Sequence, residues 1–152
     1  MEAAKKAIAA AIATREISDH GLGEPIPGKN CEYRTDVPVT NPTFNVDEVA
    51  TAMLYLVTGP VKVLRTLPRH AGTSYGWKHH AERWGEMVGL SPYVSNGAFI
   101  VAAEWLGVPS RRHHNSPNIS YALKLLRSRD DDALWLTYEA PRFRPNFTTV
   151  TL

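Results

Sequence analysis

The chain has 152 residues, of which 43% are hydrophobic, and a formal net charge of +2 at pH 7. This length allows one well-buried core and is short for two, so we expect a single domain over residues 1–152. The single cysteine, Cys31, excludes an intramolecular disulfide and a four-cysteine zinc site. Such cysteine usage favours a reducing, cytoplasmic setting.

Residues 1–16 predict an amphipathic N-terminal helix or arm, with a thin apolar face formed by Ala4, Ile8, Ala11 and Ile12. Two lysines before an apolar run are also typical of a signal peptide, but the run from Ala7 to Ala13 has only 7 residues and charges follow it. No apolar stretch approaches the ~20 residues of a membrane span, so we expect no membrane partner. The thin face also allows self-association through this helix.

Residues 21–45 predict an extended loop, because they contain four prolines and three glycines. A helix then begins at Asn45, a good N-cap, with two acidic residues in its first turn, and it ends at Gly59 and Pro60. Residues 61–67 fit either a short helix or a strand. Two further helices are predicted over 75–88 and 97–106, and the second is apolar on nearly all sides, which is typical of a central buried helix.

A fifth helix is predicted over residues 117–128, where Ser116 is a cap and apolar residues recur at helical spacing. Residues 133–139 and 147–152 alternate in the manner of strands. The expected fold is therefore mainly α, with about five helices and a small C-terminal antiparallel β element. The order of the last three helices and the hairpin resembles that of a winged-helix domain, although the connection from Gly107 to Ser116 is long for a helix-turn-helix.

Charge is segregated along the chain. Residues 60–129 contain 10 Lys or Arg against 3 Glu and no Asp, and they hold five of the six histidines. The remaining residues contain 7 basic and 12 acidic side chains, so the two parts carry net charges of +7 and −5. A surface of one sign attracts polyanions over a Debye length of about 8–10 Å.

The basic segment therefore predicts nucleic-acid binding, with guanidinium and ammonium groups on the phosphates. The predicted contacts are Arg111, Arg112, Lys124, Arg127 and Arg129, assisted by Arg142 and Arg144 and extended by Lys78 and Arg83.

Two short motifs lie close together in the middle of the chain, Tyr-Gly-Trp-Lys-His at 75–79 and Tyr-Val-Ser-Asn-Gly-Ala-Phe-Ile at 93–100. This pattern resembles small uncharacterised proteins of phages and mobile elements, to which no activity is attached. The resemblance implies a phage or mobile-element origin and no mechanism. A second hypothesis is a protein-binding inhibitor, adaptor or virion component without catalysis, in which a host or phage protein orders the proline-bearing loop and the N-terminal helix as binding arms.

A third hypothesis is a hydrolase. His79 and Glu82 lie one helical turn apart and would form an acid/base pair, or a metal site if His70, His113 or His114 came close. Tyr93 and Asn96 would line the same ligand site. The alternative is an exposed face on which Lys78 pairs with Glu82. No Gly-x-Ser-x-Gly motif, phosphate loop or dinucleotide fingerprint is present, so we expect no cofactor and favour a function without catalysis.

Overall fold

A computed structural model describes residues 1–30 and 32–126. This part of the chain forms four helices, α1 (Glu2–Thr14), α2 (Val46–Thr58), α3 (Ser74–Met87) and α4 (Asn96–Trp105). Each lies within one or two residues of a predicted helix, so those four predictions are confirmed. Asn45 is the N-cap of α2, as expected, and its side-chain oxygen accepts a hydrogen bond from Asp47 N.

Within the described residues, eight short strands pair two by two in the antiparallel sense. β1 (Ile17–Ser18) pairs with β2 (Gly21–Leu22), and β3 (Glu24–Pro25) pairs with β4 (Tyr33–Arg34). β5 (Val61–Val63) pairs with β8 (Leu123–Leu125), and β6 (Ser110–Arg112) pairs with β7 (Ile119–Tyr121). The described residues therefore form a mixed α/β structure, in which residues 61–63 are a strand.

The prediction of a fifth helix over 117–128 is wrong, because its described residues form β7 and β8. The apolar side chains at 119, 122, 123 and 126 have helical spacing, but Ile119 through Leu123 are all buried, which is typical of a strand covered on both faces. β8 pairs with β5, more than fifty residues earlier in the chain. This long-range pairing overrides the local periodicity.

The winged-helix arrangement is not confirmed, since the described chain has no basic helix after α4. Several features named in the sequence analysis lie outside the described residues: Cys31, the predicted strands 133–139 and 147–152, and the arginines at 127, 129, 142 and 144. Among the helices described, none has the length and apolar character needed to cross a bilayer.

Helix α4 lies at the centre of the core, as its composition predicts. Residues 98–103 are buried, and α1, α2 and α3 all pack against this helix. Phe99 is fully buried, with its ring centroid 6.0 Å from that of Tyr121. The expected burial does not extend to Trp105, which is 37% exposed at the last turn.

Helix α1 packs on α2 and α4 through a face that differs slightly from the predicted one. Its small residues Ala4, Ala7 and Ala11 are buried, whereas Ile12 is exposed. After α1, Arg15 accepts a hydrogen bond from Val39 N through its carbonyl oxygen and donates from Nε to Val39 O. These bonds attach the proline-rich loop to the helical body.

The start of α4 depends on glycine. A Cβ at Gly97 would collide with the backbone of Ser18, and Gly97 N donates to Asp19 O at 2.9 Å. The turn between β1 and β2 therefore packs directly on the first turn of α4. Only glycine at position 97 permits this close approach of the two backbones.

The position of α4 predicts different outcomes for its two large aromatic residues. Phe99→Ala should lower the free energy of unfolding by about 3–5 kcal/mol, because it leaves a cavity in a fully enclosed site. Trp105→Ala should cost clearly less, since Trp105 is partly exposed. Urea titration of both variants measures the difference, and equal losses would contradict the central placement of α4.

Candidate nucleic-acid interface

The β5–β8 pair places two lysines side by side. Lys62 and Lys124 are directly opposite each other in the antiparallel register, and both are exposed. Directly opposed residues have Cβ atoms about 4.5–5.5 Å apart on the same face. No described carboxylate forms an ion pair with either ammonium group. Two positive charges are thus fixed on one face of a short sheet without an ion-pair partner among the described residues.

A groove of about 850 Å³ adjoins this pair. One wall is β8 and the next residue, from Leu123 to Leu126, and it includes Lys124. The opposite wall comes from the end of the preceding loop and the first turns of α3, namely His70, Gly72, Thr73, Gly76, Trp77 and His80. We call this feature the lysine groove.

The charge at the lysine groove comes mainly from its lysines. Burial, followed by the charges of Arg83 and His79, lowers the pKa of His80 below its ordinary value, so this imidazole is neutral at pH 7. Two exposed arginines, Arg65 and Arg69, follow β5 in the loop that leads to the groove. Neither forms an ion pair with another described residue.

The predicted basic residues that lie within the described chain do not form a single cluster. Arg111 and Arg112 are neighbours in β6, so their side chains point to opposite faces of the strand. Arg112 donates to Glu16 at 2.9 Å and is neutralised by it. Arg83 is exposed on α3. Of the predicted contacts within the described chain, only Lys124 lies in the lysine groove.

Lys78 is buried, although it was expected on an exposed face. Its Nζ lies 2.8 Å from Glu82 Oε1, and both side chains are almost enclosed. His79 Nδ1 lies 2.6 Å from Glu82 Oε2, and Glu82 Oε1 also accepts a hydrogen bond from Val94 N. The predicted Lys78–Glu82 and His79–Glu82 pairs therefore exist, and they join α3 to the segment before α4.

Two tyrosines cover this buried pair. The Nζ of Lys78 lies 5.4 Å from the ring centroid of Tyr75 and 5.1 Å from that of Tyr93. Both rings are more than half exposed, at 53% and 58%. The ring of His79 meets that of Tyr75 edge-on at 4.8 Å. The cluster thus presents aromatic rings to solvent over an internal ion pair.

Asn96 links separate loops from inside the protein. It is 6% exposed, and its Nδ2 lies within hydrogen-bond distance of His20 O, Pro117 O and Asn118 Oδ1. Ser95, rather than Asn96, is the N-cap of α4, since its Oγ accepts from Ala98 N. The structure therefore separates Asn96 from Tyr93, which is exposed.

The residues considered for a metal site are also apart. Within 1–30 and 32–126, no three potential ligands among His, Cys, Asp and Glu come together. His70 lines the lysine groove, and His113 Nε2 is hydrogen-bonded to Ser120 Oγ at 2.8 Å. The His79–Glu82 pair consequently gains no further ligand from the described histidines.

Sequence reasoning missed His70 and His80 as groove residues and Lys62 as the residue opposite Lys124 beside the groove. Lys62 lies in a segment that fits a helix or a strand, and its partner Lys124 was assigned to a helix. Only the pairing of β5 with β8 brings the two lysines together. A lysine flanked by valines at 61–63 and a lysine flanked by leucines at 123–125 did carry the alternation of two half-buried strands.

Comparison of the chain with protein-family models, with curated proteins and with solved structures gives no match.

The buried cluster predicts a specific response to acid. Burial by itself would raise the pKa of Glu82, but hydrogen bonds from Lys78, Val94 N and His79, with the charge of Lys78, lower it below its ordinary value of 4.5. As pH falls, the carboxylate of Glu82 therefore becomes protonated at a higher pH in the unfolded chain than in the folded protein. The resulting stabilisation is complete above the unfolded pKa and is lost as pH falls through the folded pKa.

Glu82→Gln tests this dependence, because the amide has the same shape and does not titrate. The wild-type protein should exceed the variant in unfolding free energy at about pH 7, and the gap should shrink toward about pH 3. Urea titrations at several pH values measure the gap. A gap that stays constant would show that Glu82 is not coupled to folding in this way.

Proposed function

We propose that the protein binds nucleic acid, with the phosphate backbone held at the lysine groove and the adjoining Lys62. The observation that carries this proposal is the exposed, opposed pair of Lys62 and Lys124, which lacks an acidic neighbour among the described residues. Arg65 and Arg69 extend the same positive charge along the loop after β5.

Like charges placed directly opposite each other on a sheet destabilise it. A carboxylate at either position would form a favourable cross-strand pair instead, so folding alone gives no reason for two lysines. A bound polyanion offsets the repulsion between the two lysines, because each phosphate neutralises a cation and releases condensed counterions. The groove beside the pair provides room for a backbone to lie against both walls.

The alternative of a protein-binding accessory factor shares this surface, since an acidic protein would meet the same cations. Nucleic acid is preferred because phosphate charge is dense and regularly spaced, which suits a row of exposed Lys and Arg. The association with phages and mobile elements, self-association through α1 and the hydrolase hypothesis remain predictions from the sequence motifs.

Binding should be strongly dependent on salt. Labelled single-stranded and duplex oligonucleotides should bind at about 50 mM salt, and the affinity should fall with a log-log slope of roughly 0.7 per phosphate contact for single strands and 0.9 for duplex. Replacing both Lys62 and Lys124 by Ala should reduce the slope by about 1.4–1.8, depending on the strand type. Fluorescence anisotropy across a salt series measures both quantities.

The matched control replaces Lys5 and Lys6, which are exposed on α1, by Ala. It removes the same charge from a different element and should leave the slope within error of the wild type. If neither DNA nor RNA binds at low salt, or if the two double variants behave alike, the proposal fails.

The like-charge pair also predicts opposite effects of one substitution on stability and on binding. Lys124→Glu creates an opposite-charge pair with Lys62 and should raise the free energy of unfolding by about 0.2–1 kcal/mol. The same change should weaken oligonucleotide binding, because it places a negative charge in the groove. Thermal unfolding and anisotropy on one preparation test the two effects, and a loss of stability would argue against the strand register.

A further inference from the structure

Tyr75 and Tyr93 form an exposed aromatic surface that the phosphate-binding proposal does not use. The rings come from different segments, one at the start of α3 and one just before α4. Each ring centroid lies about 5 Å from the same buried ammonium group, so both rings lie against Lys78. Large aromatic side chains that are more than half exposed contribute little to the core, and an exposed apolar patch marks a binding surface.

The two rings are held on a rigid base. Lys78 beneath them is fixed by Glu82 at 2.8 Å, and Glu82 also binds Val94 N, the residue after Tyr93. Ser91 Oγ donates to Tyr93 O at 2.7 Å, which fixes the backbone on the other side. Since the supports are already in place, little conformational entropy is lost when a ligand binds to the rings.

Tyr75 lies next to the lysine groove. The following residue, Gly76, lines the groove and is exposed, and nothing lies within 4 Å of the point that a Cβ would occupy there. Successive helix positions are about 100° apart around the axis. A chain lying in the groove can therefore cross α3 at Gly76, where no side chain obstructs it, and reach the ring of Tyr75.

We infer that Tyr75 and Tyr93 stack on unpaired bases, so that the ligand of this protein is single-stranded nucleic acid. The inference rests on the proposed function, which places the phosphates of the same strand at the lysine groove. Bases of a duplex are already stacked on one another, whereas those of a single strand have free faces for aromatic side chains. The combination of a positively charged groove and exposed rings is typical of single-strand binding without base preference.

The test uses a single-stranded oligonucleotide that contains the fluorescent base 2-aminopurine, whose emission is quenched by stacking. The full chain should quench this emission on binding. Tyr75→Ala and Tyr93→Ala should each reduce the quenching and weaken single-strand binding about tenfold, with a much smaller effect on duplex binding. Tyr75→Phe and Tyr93→Phe should restore both signals, because phenylalanine keeps the stacking face.

Trp105→Ala is the matched control, since it removes an exposed aromatic ring from the end of α4. It should leave quenching and affinity unchanged. Thermal unfolding of each variant confirms that it is folded. Single-strand binding without quenching, or quenching that the two Ala variants retain, would overturn the stacking site while leaving phosphate binding intact. An absence of binding to any oligonucleotide would overturn both.

Discussion

The structure depends on how the N-terminus of the buried helix α4 is satisfied. A helix leaves its first N–H groups without intrahelical partners, and inside a core water does not supply them. Here one partner is local, since Ala98 N donates to Oγ of the N-cap Ser95. The others come from distant segments: Gly97 N donates to Asp19 O, and Ser95 N donates to Glu48 of α2. The preceding residue, Val94, donates to Glu82 of α3. The same bonds that permit burial of α4 therefore fix the segment carrying Tyr93 against α3, so the geometry of the aromatic surface follows from the requirements of the core.

The sequence predicted the parts of this fold that local periodicity determines. Four helices follow from apolar spacing and from caps such as Asn45, because those signals act within a few residues. The pairing of β5 with β8 joins segments more than fifty residues apart, and no local signal selects one partner among several short apolar segments. The same limit explains Lys78: its spacing from Glu82 predicts the pair, but its burial depends on two tyrosines, one of which comes from another element. Trp105 shows the opposite error: the apolar composition of α4 predicts burial, but the last turn of the helix is not fully covered by other elements.

For the candidate site, the excess of positive charge in residues 60–129 predicts a polyanionic partner but not the surface that would bind it. A cation contributes to a binding face only if it is exposed and unneutralised, and neither condition can be read from composition. Arg112 is neutralised by Glu16, which lies almost a hundred residues earlier, and Lys78 is neutralised inside the protein. Lys62 and Lys124 are exposed because each is on the solvent side of a strand whose other face is packed, and neither forms an ion pair with a described carboxylate.

Several features around the lysine groove work against stability and are gathered in one region. The opposed lysines repel each other across β5 and β8, and Gly76 in the first turn of α3 lowers helix stability by about 0.5–1 kcal/mol relative to alanine without being required by space or by a left-handed backbone. Two tyrosine side chains on the adjacent face cover Lys78 but are themselves more than half exposed. Elsewhere glycine is explained by packing, as at Gly97, where a Cβ would strike the backbone of the neighbouring turn.

Residues that oppose local rules without a packing reason are expected at functional sites, where the ligand supplies the missing interaction. The proposed ligand, a flexible polyanion with exposed base faces, would supply all three: negative charge for the lysines, close approach for the glycine and a stacking partner for the tyrosines.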